Sequence, residues 1–203
     1  MLLYYITDRR QFAGGEISRQ RALLHKIVEA ARRGVDFIQL REKDLNGREL
    51  ESLARDAVRA VRENSSRTQL LINSRTDVAV ACGADGVHLR SQDVSPSDVR
   101  KAWGLRTTPV ISVSCHSPAE VAQAASEAAA LAVFAPVFEK QGSTGAGLSA
   151  LRSACKHPIQ VLGLGGVTLE NARACVEAGA TGVAGIRLFQ GNEVGRVVEQ
   201  LRG

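Results

Sequence analysis

Aromatic side chains are scarce in this sequence, with one Trp, two Tyr and five Phe among 203 residues. So few π faces argue against base stacking as the main business. No basic tract forms a nucleic-acid stripe either, because the arginines are scattered with acids between them. Proline is sparse, five in all, and a single compact domain over residues 1–203 with ample core is the expectation. No apolar run reaches membrane-spanning length, and the opening MLLYYITDRR has no basic region followed by a long apolar stretch. A cytoplasmic protein with no membrane partner is expected. The four cysteines, Cys82, Cys115, Cys155 and Cys175, lack CxxC spacing and sit inside apolar runs. They read as small buried hydrophobes in a reducing compartment rather than as metal ligands or disulfides.

What is present is a chain 44% hydrophobic with a formal net charge of +5, from 26 Lys and Arg against 21 Asp and Glu. That modest excess favours anionic partners, and phosphorylated small molecules fit it better than nucleic acid. Apolar runs of about 4 to 6 residues alternate with 3.6-periodic stretches from end to end. Strands are expected at Leu3–Ile6, Phe37–Leu40, Gln69–Ile72, Gly86–Leu89, Val110–Val113, Leu131–Phe134, Ile159–Leu164 and Gly182–Ile186. Helices fall between them, over Ser18–Arg33, Arg48–Glu63 and Thr76–Cys82, from Pro96 and Pro118, after a glycine-rich loop Gln141–Gly147, after Gly165-Gly166 with Thr168 as the cap, and over Glu193–Leu201. Eight βα units in about 200 residues make a minimal (β/α)8 barrel. An open doubly wound sheet is the competitor, but its glycine fingerprint would come early in the chain, and here it comes last.

In such a barrel, chemistry is read at the carboxyl ends of the strands. Strand 7 runs into Gly165-Gly166 and strand 8 contains Gly185 before Ile186. Missing side chains let backbone N–H groups approach an anion, and the loops after strands 7 and 8 frequently bind phosphate in this fold. After strand 2, Gln39, Arg41 and Lys43 alternate as a strand alternates, so all three project to one side and form a polyphosphate clamp. The competing reading of Lys43-Asp44 is a solvated loop. Asn73, Ser74, Arg75 and Asp77 follow strand 3, and Asp77 is expected to cap a helix or pair with Arg75. His88 lies between Val87 and Leu89, as an interior histidine with satisfied hydrogen bonds would. Ser114 and His116 follow strand 5, where an imidazole serves either as general acid/base or as a packing or capping group.

These residues resemble the thiamine phosphate synthase and TenI family of (β/α)8 enzymes. The segments that carry the resemblance are Ile38-Gln-Leu-Arg-Glu-Lys43, Ile72-Asn-Ser-Arg-Thr-Asp77, Gly83-Ala-Asp-Gly-Val-His-Leu89, Ser112-Val-Ser-Cys-His116, Leu164-Gly-Gly-Val167 and Gly179-Ala-Thr-Gly-Val-Ala184. The resemblance implies joining a hydroxymethylpyrimidine pyrophosphate to a thiazole phosphate with release of pyrophosphate. Gln39, Arg41, Lys43, Asn73 and Arg75 would hold the pyrophosphate, and Mg2+ would bridge it to Asp93. Lys43, Ser114 and His116 would stand at the reacting atoms, and Gly165, Gly166, Gly185, Ile186 and Arg187 would hold the thiazole phosphate.

The departures from the family pattern fall on the chemistry. Asn73-Ser74 stands where synthases have Asn-Asp, Arg90-Ser91 where they have Gly-Gln, and Phe138-Glu-Lys-Gln-Gly142 where they have Pro-Thr-x-Thr-Lys, with Lys140 as the stand-in lysine. These changes look more like TenI, a thiazole tautomerase with His116 as acid/base and no metal. A thiazole or thiamin phosphate sensor without turnover is the third expectation. The partners in every version are small phosphorylated molecules, the loop Gln141–Gly147 is the candidate lid, and a homo-oligomer stays open.

Overall fold

The computed structural model describes residues 1–104, 107–139 and 144–203. Lys140 and the first three residues of the expected lid, Gln141, Gly142 and Ser143, lie outside the described residues. Eight parallel strands close into one barrel in sequence order: β1 Leu2–Ile6, β2 Phe37–Leu40, β3 Gln69–Asn73, β4 Gly86–Leu89, β5 Val110–Cys115, β6 Leu131–Phe134, β7 Gln160–Gly163 and β8 Gly182–Gly185. Closure comes from β8 pairing with β1, where Leu2 lies opposite Gly182 and Tyr5 opposite Gly185. The expected (β/α)8 barrel is therefore the fold.

The period of two along each strand divides the core into two shells. Tyr4, Ile6, Phe37, Leu71, Leu131, Val133, Leu162 and Ala184 pack together inside the barrel. Their neighbours in sequence, among them Leu3, Tyr5, Ile38, Leu40, Leu70 and Ile72, pack outward against the helices. The register carries this parity from strand to strand: Ile6 opposes Gln39, Gln39 opposes Leu71, Asn73 opposes His88, and His88 opposes Ser112. The polar residues Gln39, Asn73, His88, Ser112 and Ser114 consequently share the inward side of strands 2 to 5.

Helices α1 Glu16–Arg32, α2 Gly47–Asn64 and α3 Thr76–Cys82 follow the first three strands. α2 starts with a reciprocal capping box, in which Asn46 accepts from the Glu49 amide and Glu49 accepts from the Asn46 amide. α4 Pro96–Trp103 and α5 Pro118–Ser126 each begin with Ser-Pro, the serine accepting from the third residue on and proline occupying the first helical position. α6 Gly147–Ala154, α7 Ala172–Glu177, α8 Arg187–Gln190 and α9 Val194–Arg202 complete the set.

Two features depart from the expected elements. A single 3-10 turn, Arg9–Gln11, follows β1, capped by the Asp8 carboxylate. Strand 8 ends at Gly185, and Arg187 opens the four-residue α8 that precedes the expected last helix. Among the described residues no helix is long and apolar enough to cross a membrane. Cys82, Cys115 and Cys175 are buried free thiols and Cys155 is half-buried, as their apolar neighbours imply.

Candidate active site

The chain beyond β2 keeps the alternation of the strand. Arg41 and Lys43 face a cavity of about 420 Å3 that is also lined by Asn73, His88, Arg90, Ser114 and His116. Glu42, between them, faces the opposite way and is 5% exposed. Its carboxylate accepts from Thr7 Oγ1 at 2.6 Å, from the Arg9 amide at 3.0 Å and from Arg9 Nη1 at 3.1 Å. Arg9, itself 3% exposed, continues to Asp44 at 2.7 and 3.0 Å and to Glu16 at 2.6 Å. Thr7 Oγ1 also accepts from the Arg41 amide at 2.9 Å. The chain that carries Arg41 and Lys43 is thus held from behind by a buried ion-pair network. Burial lifts the Glu42 carboxyl above its ordinary range, against the pull of Thr7 and Arg9.

Gln39, expected in the clamp, lies one layer lower. It is 1% exposed and donates through Nε2 to Asn73 Oδ1 at 2.8 Å, while its Oε1 is buried without a partner. Asn73 in turn donates to Ser74 Oγ at 3.1 Å. Gln39 therefore orients Asn73 at the cavity wall and leaves one acceptor free. Arg75 lines neither of the cavities described here. Its guanidinium donates to the Asp77 carboxylate at 2.8 and 2.6 Å and lies against Gly47 at the start of α2.

His88 closes the floor of the cavity. Its Nδ1 lies 3.0 Å from Ser112 Oγ and 3.3 Å from Tyr4 Oη across the barrel, and its Nε2 lies 3.0 Å from Ser114 Oγ. Burial, assisted by the Arg41 charge, lowers its pKa to about 3, so the ring is neutral and fixes the direction of the Ser114 hydroxyl. His116 is exposed at the rim. It sits one residue before the Ser117 cap of α5, so it does not itself cap the helix. Its amide donates to Glu120 Oε2 at 2.9 Å, and its Nδ1 lies 3.3 Å from the same oxygen.

Asp93, the expected metal ligand, is already engaged. The Arg90 amide donates to Oδ2 at 2.8 Å, and Arg90 Nη2 donates to Oδ1 at 2.9 Å. Burial acts to raise the Asp93 pKa, but hydrogen bonds from the Arg90 side chain, the Arg90 amide and the Ser74 hydroxyl outweigh it and hold the carboxyl below its ordinary range. Ser74 takes a left-handed φ of 60°, uncommon for a residue other than glycine, with its amide donating to the His88 carbonyl at 2.8 Å. Among the described residues no group of three or more His, Cys, Asp or Glu side chains could hold a metal. Mg2+ is ordinarily bound through one or two carboxylates, and the donors here, one carboxylate whose two oxygens already accept from Arg90 and a neutral serine hydroxyl, do not fit it.

A second cavity, of about 500 Å3, opens at the ends of β7 and β8, lined by Gly165, Gly166, Gly185, Ile186 and Arg187 among others. Gly165 has φ +93° and Gly166 φ +66°. A Cβ on Gly165 would lie 2.7 Å from Pro136 Cα, and one on Gly166 2.8 Å from Phe138 Cβ. Both the backbone conformation and the close approach therefore exclude side chains. Thr168, expected as a helix cap, instead donates its amide to Asn171 Oδ1 at 2.8 Å, while Asn171 Nδ2 donates to the Gly166 carbonyl at 2.9 Å and α7 begins only at Ala172. Gly166→Ala is expected to cost about 1–3 kcal/mol through left-handed strain and the Phe138 contact. It should also weaken phosphate binding at this cavity, which thermal melting with and without inorganic phosphate measures.

His88 is buried with hydrogen-bond partners on both ring nitrogens, as its place between Val87 and Leu89 implies, and the alternation that selects 39, 41 and 43 also selects 88 and 90, and 112, 114 and 116. The same period of two past the end of β4 brings Arg90 to the cavity that Arg41 and Lys43 line. The Arg9–Glu42 pair left only a weak trace, an acid set between two cations on the opposite side of the chain.

A family model described as thiamine monophosphate synthase matches residues 3–189. A putative thiamine-phosphate synthase 2 of Aquifex aeolicus is 37% identical over 191 residues, covering 92% of this chain and 96% of that protein. A putative thiamine-phosphate synthase of Geobacter sulfurreducens is 39% identical over 189 residues, covering 90% of this chain and 83% of its own length. The solved structure of a thiamine phosphate pyrophosphorylase from Pyrococcus furiosus superposes with a TM-score of 0.83 at 28% identity, covering 99% of this chain and 93% of that one.

Proposed function

Because the chain belongs to the thiamine monophosphate synthase family, we propose that it is a thiamine-phosphate synthase acting on two small phosphorylated substrates. The observation that carries this reading is the pair of cavities at one end of the barrel. One is bordered by the cations Arg41, Lys43 and Arg90, and the other by the glycine backbone at 165, 166 and 185. The first suits the diphosphate of a hydroxymethylpyrimidine, and the second the phosphate of a thiazole.

In the reaction, the bond between the pyrimidine methylene carbon and the diphosphate oxygen breaks, and its electron pair leaves with the diphosphate. The thiazole ring nitrogen then gives its lone pair to that carbon, forming the new C–N bond. Arg41 and Lys43 stabilise the charge that develops on the leaving group, Asn73 fixes its position, and Ser114, aimed by neutral His88, contacts the pyrimidine. The Mg2+ that the family resemblance implies does not fit the paired Asp93.

The test is direct: supply both substrates and follow thiamin phosphate. Its appearance supports the synthase. A second reading, thiazole tautomerase, is favoured by the His116–Glu120 contact, which orients an exposed imidazole at the same cavity. In that case no thiamin phosphate forms, while solvent deuterium enters the thiazole and His116→Asn abolishes the exchange. If neither reaction occurs and the phosphate ligands still raise the melting temperature, the protein is a sensor.

A further inference from the structure

We propose that Arg90 supplies in this protein the positive charge a divalent metal would otherwise bring to the diphosphate, so that the anion is held by Arg41, Lys43 and Arg90 without a metal. The inference rests on the synthase reading for its ligand. It comes from the disagreement between an implied Mg2+ and the donors present.

Asp93 is a poor metal ligand because two groups of Arg90 already occupy its oxygens, at 2.8 and 2.9 Å. The same pairing makes Arg90 a good anion ligand. Asp93 is fixed by its burial, its side chain being 11% exposed, whereas the Arg90 side chain is 61% exposed and borders the cavity. A buried carboxylate thus steers an accessible guanidinium toward the space that Arg41 and Lys43 face. Three cations meet there, and the crowding registers on Lys43. Arg41, then burial, then Arg90 hold its ammonium below the ordinary lysine range. Such mutual repulsion is relieved by an incoming polyanion. Parity supports the same arrangement, since Arg90 continues the inward series of His88 as Arg41 continues that of Gln39. Asp93 is a positioning residue in this scheme, acting through Arg90.

Calorimetric titration with inorganic pyrophosphate separates the two cases. In EDTA the protein is expected to bind pyrophosphate, and added Mg2+ is expected to leave the affinity unchanged or weaken it, because the metal competes with the arginines for the phosphate oxygens. Arg90→Gln should weaken metal-free binding roughly 10- to 100-fold, the scale of one charge-assisted contact. Its exposed side chain makes a folding defect easy to exclude by thermal melting. Asp93→Asn should change metal-free affinity in the parent protein but not on the Arg90→Gln background. Binding that requires Mg2+, with Arg90→Gln neutral and Asp93→Asn abolishing the metal effect, overturns the inference while leaving the synthase reading intact. Metal-independent pyrophosphate binding that Arg90→Gln weakens, without thiamin phosphate formation under any condition, upholds the clamp and removes the synthase.

Discussion

Arg9→Ala is expected to destabilise the barrel by about 3–5 kcal/mol at neutral pH, the usual cost of removing one partner from a buried ion pair. Arg9 and Glu42 are 3% and 5% exposed, and Glu42 would keep only the Thr7 hydroxyl and the Arg9 amide as donors. The pH dependence follows from the sign of the Glu42 shift. Its pKa is already raised by burial, and losing the Arg9 charge raises it further. The penalty is therefore full above that pKa and shrinks as the pH falls through it, because a protonated carboxyl needs no counter-charge. Urea denaturation at neutral and at mildly acidic pH measures the difference. Glu42→Gln on the Arg9→Ala background should restore much of the loss, and a double variant as unstable as the sum of the singles would contradict the account. Activity should fall with stability, since the same network holds the backbone between Arg41 and Lys43.

Arg41→Ala is expected to lower the rate of diphosphate departure roughly a hundred- to a thousandfold, the scale of losing one preorganised donor at a site of developing charge. Arg41→Lys should recover only part of this, because a point charge cannot reproduce the two-pronged contact of guanidinium. The substitution also has a signature in the pH profile. With Lys43 as a cation of the proposed clamp, its lowered pKa is expected to place the alkaline fall of kcat/KM below the ordinary lysine range. Arg41 is the largest cause of that lowering, so Arg41→Ala should move the alkaline limb to higher pH even as the rate drops. An unmoved limb would mean that Lys43 is not the group titrating. Steady-state kinetics across the alkaline range checks both effects.

Much of this molecule is legible in its amino-acid sequence. The alternation of short apolar runs with periodic stretches prescribes eight strands because a strand buried on both faces needs a continuous apolar run. The glycines after strands 7 and 8 mark the places where the backbone must turn left-handed or approach closely. Arg41 and Lys43 were readable from a period of two. Asp93 illustrates where such reading stops. Its position after strand 4 identifies it as a candidate ligand, but whether a carboxylate is free or paired depends on the rotamer of Arg90, which no spacing prescribes. Arg75 is a different case: its pairing with Asp77 is among the expectations from the sequence, and the structure shows that pair away from the cavity.

Local periodicity and residue type in the sequence point to the (β/α)8 barrel over an open sheet, to the strand ends as the place to look for chemistry, and to anionic ligands. Tertiary structure alone decided which charges are used up within the protein and which remain for a ligand. Glu42 and Arg9, 33 residues apart in the chain, meet when β1 pairs with β2, and Tyr4 and His88, 84 apart, meet across the barrel interior. Burial then removes the water that would otherwise solvate each group separately, and the contacts made at that point set the charge of the site.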